Sequence, residues 1–158
     1  MKTPAGTLYL VAREHVLLAA GFHSFADLHQ RMDDSEFAVG SQDVKKIPVL
    51  SELIADYFDG DLDAINAITV RQPGSEFSQS VWKAMRKVPA GKTWSYSDLA
   101  KKIGSPAAVR AVGTACGKNL IAPIIPCHRI VKSDGAIGNY GFGVETKEIL
   151  LRHEGALE

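Results

Sequence analysis

The chain has little of what would mark a membrane, secreted or metal-centred protein. None of its apolar runs approaches the roughly 20 residues that span a bilayer, and its start lacks a signal-peptide pattern. Its 158 residues hold only two cysteines, Cys116 and Cys127, too few for a disulfide framework and without the paired spacing of a zinc site. The five histidines (His15, His23, His29, His128 and His153) are scattered. No repeat or low-complexity tract occurs, and the formal net charge is zero. A cytoplasmic protein is therefore expected, with no metal, no cofactor and no membrane partner.

What is present is an ordinary globular composition, 46% apolar and 23% charged. A chain of this length buries roughly 70% of its unfolded surface, enough for one core or two small ones. The zero net charge conceals a polarity. Residues 1–70 hold 5 Lys/Arg against 11 Asp/Glu, whereas residues 71–132 hold 11 against 2. One basic segment in a neutral protein suits a polyanion docking on one face, and equally a solvated surface with no partner.

Two β-prone runs, 6–12 and 15–22, read as a hairpin across Arg13-Glu14. Residues 25–33 and 49–58 read as helices, the second ended by Gly60, and 65–70 as a strand. The turn Gln72-Pro73-Gly74-Ser75 separates an N-terminal α/β domain, 1–71, from a mainly helical C-terminal domain, 72–158. In the second, Ser75 or Ser78 can cap a helix with Phe77, Val81, Trp82 and Met85 inward. A short helix follows over 95–103, and another over 107–115 with Ser105 as its cap and Pro106 at its first position. Two short helices joined by a glycine-containing turn describe a helix-turn-helix, and the whole predicts an α/β (α+β) fold. Trp82 and Trp94 read as core.

The later of those helices is nearly smooth. Ala107, Ala108, Ala111, Gly113, Thr114 and Ala115 surround one long cation, Arg110. Such a surface allows tight helix–helix packing, or a shallow approach to a duplex with Arg110 reaching into a groove or the base stack.

Cys127 stands between Pro126 and His128 at the end of an apolar run, with Arg129 beyond. Only the thiolate attacks, and free cysteine is a few per cent ionised at neutral pH. The adjacent imidazole and guanidinium would favour the charged form, while the proline restricts the backbone that presents the sulfur. A packed strand-end cysteine is the alternative.

Val88-Pro-Ala-Gly-Lys-Thr-Trp-Ser-Tyr96, Arg110-Ala-Val-Gly113, Asn119, Pro126-Cys-His-Arg129, Gly138-Asn-Tyr140 and His153-Glu-Gly155 keep one order and spacing across about half the chain. Together they resemble the O6-alkylguanine-DNA alkyltransferases, the methylated-DNA–protein-cysteine methyltransferases. The resemblance implies irreversible, single-turnover repair of double-stranded DNA, in which an alkylated guanine is flipped out and its O6-alkyl group moves to Cys127. O4-alkylthymine is a second substrate the resemblance allows. It further implies a monomer binding in the minor groove, largely without sequence preference.

Residue roles follow from the same resemblance. His128 would be the base, acting through water, with Glu154 orienting it. Asn119 would be the hinge asparagine, and Tyr96 would crowd the target phosphate and protonate the leaving base. Arg110 would fill the gap left by the flipped base, with Ala111, Gly113, Arg129 and Ser133 against DNA. Val131, Asn139, Tyr140, Gly141 and Phe142 would line the base pocket. Three departures carry expectations. Leu120 replaces the usual proline after Asn119, which loosens the hinge turn. Phe142 replaces glycine, which narrows the pocket mouth. Gly141 leaves a backbone N–H to contact O6. A lesion-binding protein without chemistry and a Cys-His hydrolase are the rival readings.

Overall fold

The computed structural model describes residues 1–32 and 40–158. The first strands are β1 (Lys2–Thr3) and β2 (Gly6–Thr7), which pair with each other. The hairpin proper is β3 (Tyr9–Arg13) against β4 (Val16–Gly21), antiparallel, with Glu14 in its turn at φ 55°. The run 6–12 expected as one strand is thus divided, because Gly6-Thr7 turns back onto the N-terminus. Helix α1 (Phe25–Arg31) starts at Ser24, whose hydroxyl accepts from the Asp27 N–H at 2.9 Å. Of the helix expected over 25–33, position 33 lies outside the described residues.

Helix α2 (Leu50–Phe58) buries Leu50, Ile54 and Tyr57, and Gly60 follows at φ 117°. The strand expected over 65–70 is mostly a 3₁₀ turn, Ala64–Ala67, and only β5 (Thr69–Val70) is extended. Ile65 and Ile68, three apart, both point inward, as a three-residue period demands. The sheet runs β3-β4-β5, with β5 parallel to β4.

In the second half, Ser75 rather than Ser78 caps α3 (Glu76–Met85), accepting from the Ser78 N–H at 3.1 Å. Strand β6 (Trp94–Ser95) leads into α4 (Tyr96–Lys102), which opens with a reciprocal Ser95–Asp98 capping box. Helix α5 (Val109–Gly117) begins later than expected. The Ala108 N–H bonds the Ser105 carbonyl at 2.9 Å, so Ser105–Ala108 is a turn before the helix. Proline suits the second position of such a turn as well as a first helical position. The expected two-helix unit is therefore α4 and α5, joined by residues 103–108.

Cys127–Arg129 form a 3₁₀ turn, continuing into β7 (Ile130–Val131), and α6 (Val144–His153) closes the described fold. β7 pairs in parallel with β6, which brings the start of α4 beside the cysteine turn. Buried residues of both halves form one continuous core, from Leu17, Leu18 and Ile54 to Val81, Trp82, Leu99 and Val112. Trp82 is buried and its indole N–H donates to the Ala115 carbonyl, tying α3 to α5. Trp94 is only half-buried, with Lys102 over its ring. The segment after α5 is sewn to the N-terminal sheet. Ala20 of β4 exchanges backbone hydrogen bonds with Leu120 and Ala122.

Candidate active site

The run Leu120–Pro126 is wholly buried, and Cys127 is the first residue to regain partial exposure. Pro126, at φ −86° and ψ 66°, breaks the extended direction and starts the 3₁₀ turn that carries the thiol. Asn119, itself buried, reaches across from the end of α5. Its Nδ2 donates to the Ile125 carbonyl at 2.9 Å and lies 3.4 Å from Cys127 Sγ. Burial pushes the Cys127 thiol up, and the Asn119 amide, Lys147, a backbone hydrogen bond and Arg31 offset only part of that. The resting sulfur is a thiol that must give up its proton in order to attack.

The expected source of charge stabilisation needs correcting. Arg129 does not face the sulfur or any external surface, since only 2% of it is exposed. Its Nε and Nη2 grip the two oxygens of Glu154 at 3.0 and 2.7 Å, and its Nη1 donates to the Val88 carbonyl at 2.7 Å. A guanidinium committed in this way has nothing left for DNA, so the expected DNA contact of Arg129 is withdrawn. A planar, bidentate pair explains why the residue is arginine.

Glu154 is the hub of the buried network. Its Oε2 also accepts from the Tyr57 hydroxyl at 2.7 Å and lies 3.0 Å from His128 Nε2. Burial alone would raise the Glu154 carboxyl; the hydrogen bond from His128 and the Arg129 guanidinium overcome it and hold the group well below the usual carboxylate range. An ionised carboxylate only accepts, so Nε2 carries the imidazole hydrogen. That leaves Nδ1 with a free lone pair, and this buried atom has no hydrogen-bond partner among the described residues. Burial also lowers the His128 pKa, with Glu154 opposing, so at neutral pH the ring is an uncharged base. Gly91 lets the chain pass close behind. It sits at φ 87°, and a Cβ there would meet the Glu154 carbonyl oxygen at 3.0 Å.

Four contributors were not anticipated. Tyr57 comes from α2 in the N-terminal half, 97 residues from Glu154. Lys147 is fully buried, donating to the carbonyls of Ile130 at 2.7 Å and Asn139 at 3.2 Å. Burial brings its pKa down to about 8, with the nearby Cys127 and Cys116 opposing. A signal existed, since Lys147 shares an inward face with Leu150 and Leu151 at three and four residues on. Arg31 donates to the Asn119 carbonyl at 3.2 Å. Gln72 is the fourth: its Nε2 donates to Asn119 Oδ1 at 3.0 Å and its Oε1 accepts from the Leu120 N–H at 2.9 Å. Replacing a proline by Leu120 therefore does not loosen the hinge turn, because the N–H it introduces is bonded.

Two of the expected residues, Tyr96 and Tyr140, lie near the thiol. Tyr96 begins α4 and is half-buried, its pKa pushed up to about 12 by burial and by the two cysteines, so it remains a phenol. Tyr140 presents a buried hydroxyl without a partner among the described residues. Val131 is half-buried in β7, while Asn139 and Gly141 are exposed and Gly141 gives its carbonyl to His23 Nε2 at 3.0 Å. The Phe142 ring does not stand alone at the loop tip. It packs on Phe22, His23 and Tyr140, and a Cβ on Gly21 would lie 2.8 Å from it. The loop is thereby tied to the end of β4.

Ser133 is exposed, its hydroxyl 3.0 Å from that of Ser97 on α4. On α5, Val112, Ala115 and Cys116 face the core, whereas Arg110, Ala111 and Thr114 are exposed and Gly113 is partly so. A Cβ at Gly113 or Gly117 would meet nothing within 4 Å. Internal packing therefore does not require glycine at either position, whereas Ala115 is packed against α3. Among the described residues no cluster of three or more His, Cys, Asp or Glu could hold a metal ion, and no helix is long and apolar enough to cross a membrane.

A partly exposed thiol under an amide donor, next in the chain to an imidazole held by an ionised carboxylate, is a residue set able to supply a base-assisted cysteine nucleophile. Residues 76–156 match the family model for the 6-O-methylguanine DNA methyltransferase, DNA-binding domain. Over the whole chain, 36% identity links it to a methylated-DNA–protein-cysteine methyltransferase of Salmonella typhimurium, covering 98% of this chain and 93% of that protein. A Methanosarcina acetivorans protein of the same description is 42% identical over 67% of each chain. The crystal structure of Mycobacterium tuberculosis OGT in complex with DNA superposes with a TM-score of 0.81 at 32% identity, covering 99% of this chain and 91% of that one. The chain belongs to the 6-O-methylguanine DNA methyltransferase family.

Proposed function

We propose that the protein repairs DNA by moving the alkyl group of O6-alkylguanine irreversibly to Cys127, one group per molecule. The observation that carries this reading is the free lone pair of His128 Nδ1 beside the thiol turn, with Nε2 fixed by Glu154. The imidazole draws off the Cys127 proton through a water molecule. The sulfur then attacks the alkyl carbon while the carbon–O6 bond breaks, and the Asn119 N–H steadies the charge on sulfur before transfer. Tyr96 supplies a proton to the departing guanine and recovers one from the imidazolium, so in net terms the thiol proton leaves with the base. The thioether is uncharged and has no good leaving group, so the protein is spent.

The exposed Arg110-Ala111 face of α5, with Gly113, is assigned to the minor groove of duplex DNA, without base-specific readout. Ser133, exposed and bonded to Ser97 of α4, is assigned a further DNA contact. Val131, Asn139, Tyr140, Gly141 and Phe142 surround the flipped base. Residues 72–158 carry the chemistry, and 1–71 brace it through Tyr57 and Arg31. One chain supplies every part, so the acting species is a monomer. A reactive free thiol persists best in a reducing compartment, which supports a cytoplasmic setting for the reaction.

Incubation with an oligonucleotide containing O6-methylguanine should add a single methyl mass to the peptide bearing Cys127 and restore guanine in the DNA. Unmodified protein with the lesion intact would refute the reading. Arg110→Ala should slow repair in duplex by about ten- to a hundredfold, because extruding a stacked base costs a few kcal/mol. Reaction with free O6-methylguanine should be unchanged. Equal slowing of both would remove Arg110 from the flipping step.

A further inference from the structure

Gln72 lies in the connection between the two halves, outside every motif of the family resemblance, yet it is buried with only 6% of its surface exposed. A buried primary amide must find partners at both ends, and here both belong to the hinge of the thiol turn. Nε2 donates to Asn119 Oδ1, Oε1 accepts from the Leu120 N–H, and its own backbone carbonyl accepts from Gln79 Nε2 at 2.7 Å on α3. The Ile121 N–H adds a second donor to Asn119 Oδ1 at 3.1 Å.

An asparagine amide can sit in two orientations that exchange its oxygen and its NH₂ group. With donors from Gln72 and Ile121 on one side, the oxygen belongs there, and the NH₂ group is directed to the Ile125 carbonyl and Cys127 Sγ. The reverse orientation would set the amide oxygen against the sulfur, repelling the thiolate. We propose that Gln72 is a positioning residue that locks the Asn119 amide with its N–H toward Cys127, joining that side chain to the Leu120 backbone. This role rests on the proposed alkyl transfer for its purpose, though not for its geometry.

Other titratable groups lie near the same sulfur: Arg31 from α1, Tyr96 from α4, Cys116 from α5, Tyr140 from the loop before α6 and Lys147 from α6, with His128 next in the chain. Neither variant alters these groups chemically, and because Gln72→Glu adds a charge of its own, the neutral Gln72→Met is the variant whose shift in thiol titration reports the amide. The test uses Gln72→Glu and Gln72→Met. Glutamate keeps an acceptor for the Leu120 N–H but cannot donate to Asn119 Oδ1, so it favours the reversed amide. Methionine keeps the volume and removes both bonds.

The pH dependence of Cys127 alkylation by iodoacetamide, read by peptide mass, measures thiol ionisation without any DNA reaction. The midpoint should rise by about one unit in Gln72→Glu and by less in Gln72→Met. Single-turnover methyl transfer at pH 7 should fall about tenfold in Gln72→Glu, following the lost thiolate fraction. Unchanged midpoints in folded variants, or a lower melting temperature with no shift in midpoint, would overturn the positioning role. Shifted midpoints in a protein whose wild type transfers no methyl group would uphold Gln72 while refuting the repair function.

Discussion

Replacing Cys127 with serine should leave a protein that binds lesion-bearing duplex and never repairs it. The substitution is nearly isosteric, and the Asn119 Nδ2 that lies 3.4 Å from the sulfur can donate to a hydroxyl oxygen instead. Stability should therefore move by no more than about 0.5–1 kcal/mol, and DNA affinity by less than about threefold. Reactivity has no such substitute. Burial already keeps the thiol protonated at rest, and a hydroxyl is far less acidic still. A neutral imidazole such as His128 can take the proton of a thiol much more readily than that of an alcohol. The displacement is also at a saturated carbon, where a polarisable sulfur is the better attacking atom. Transfer should fall by roughly 10³-fold or more, to the floor of a mass assay. A fluorescence binding curve beside the mass measurement separates lost chemistry from lost binding. Methyl transfer by Cys127→Ser to any other residue would show that the wrong sulfur has been assigned.

Of the residues proposed to react, Cys127 was legible from its own neighbours, whereas Asn119 and Glu154 took their roles from the family resemblance. Cys127 stands between proline and histidine, Asn119 follows a smooth helix, and Glu154 lies within a short terminal motif. The cap of α3 was legible as one of two nearby serines, since Ser75 acts within three residues of itself, while the capping role of Ser95 was not read. What failed were places where one local pattern serves two structures. Ile65 and Ile68 fit a strand or a 3₁₀ turn, and Pro106 fits the second position of a turn or the first of a helix. What stayed hidden were partners delivered by folding from far along the chain. Tyr57 reads as one more apolar residue on α2 until its hydroxyl meets Glu154, and Gln72 reads as part of a linker until its amide meets Asn119. Arg129 shows the reverse error. The expectation set it against DNA, whereas the carboxylate it meets is inside the protein and holds it there.

That internal pair sets the second large expectation. Glu154→Ala should destabilise the fold by about 3–5 kcal/mol, because it strands the Arg129 charge in a site where 2% of its side chain is exposed. The Val88 carbonyl would be the remaining partner for the guanidinium, and the Tyr57 hydroxyl would lose its acceptor. Urea unfolding at pH 7 measures this as a lower midpoint with little change in slope. The pH dependence carries a sign of its own. The Glu154 carboxyl is held below its unfolded value of about 4.3, so its contribution is fully present above that pH and drains away as pH falls toward the folded value. Wild-type stability should decline on acidification below about pH 4, and Glu154→Ala should lack that portion of the decline. Activity should suffer separately. Without a carboxylate to accept from Nε2, the imidazole is free to adopt the tautomer that places its hydrogen on Nδ1, which removes the lone pair that has to receive a proton. A loss of roughly 10²–10⁴-fold in single-turnover rate is the range expected for disabling a general base. Glu154→Gln tells the two effects apart. Its amide oxygen can still accept from one donor, so stability should recover in part, but a neutral partner no longer stabilises the imidazolium, and the rate should stay low. If Glu154→Gln instead restored transfer along with stability, the carboxylate would be an architectural anchor for Arg129, with no part in preparing His128.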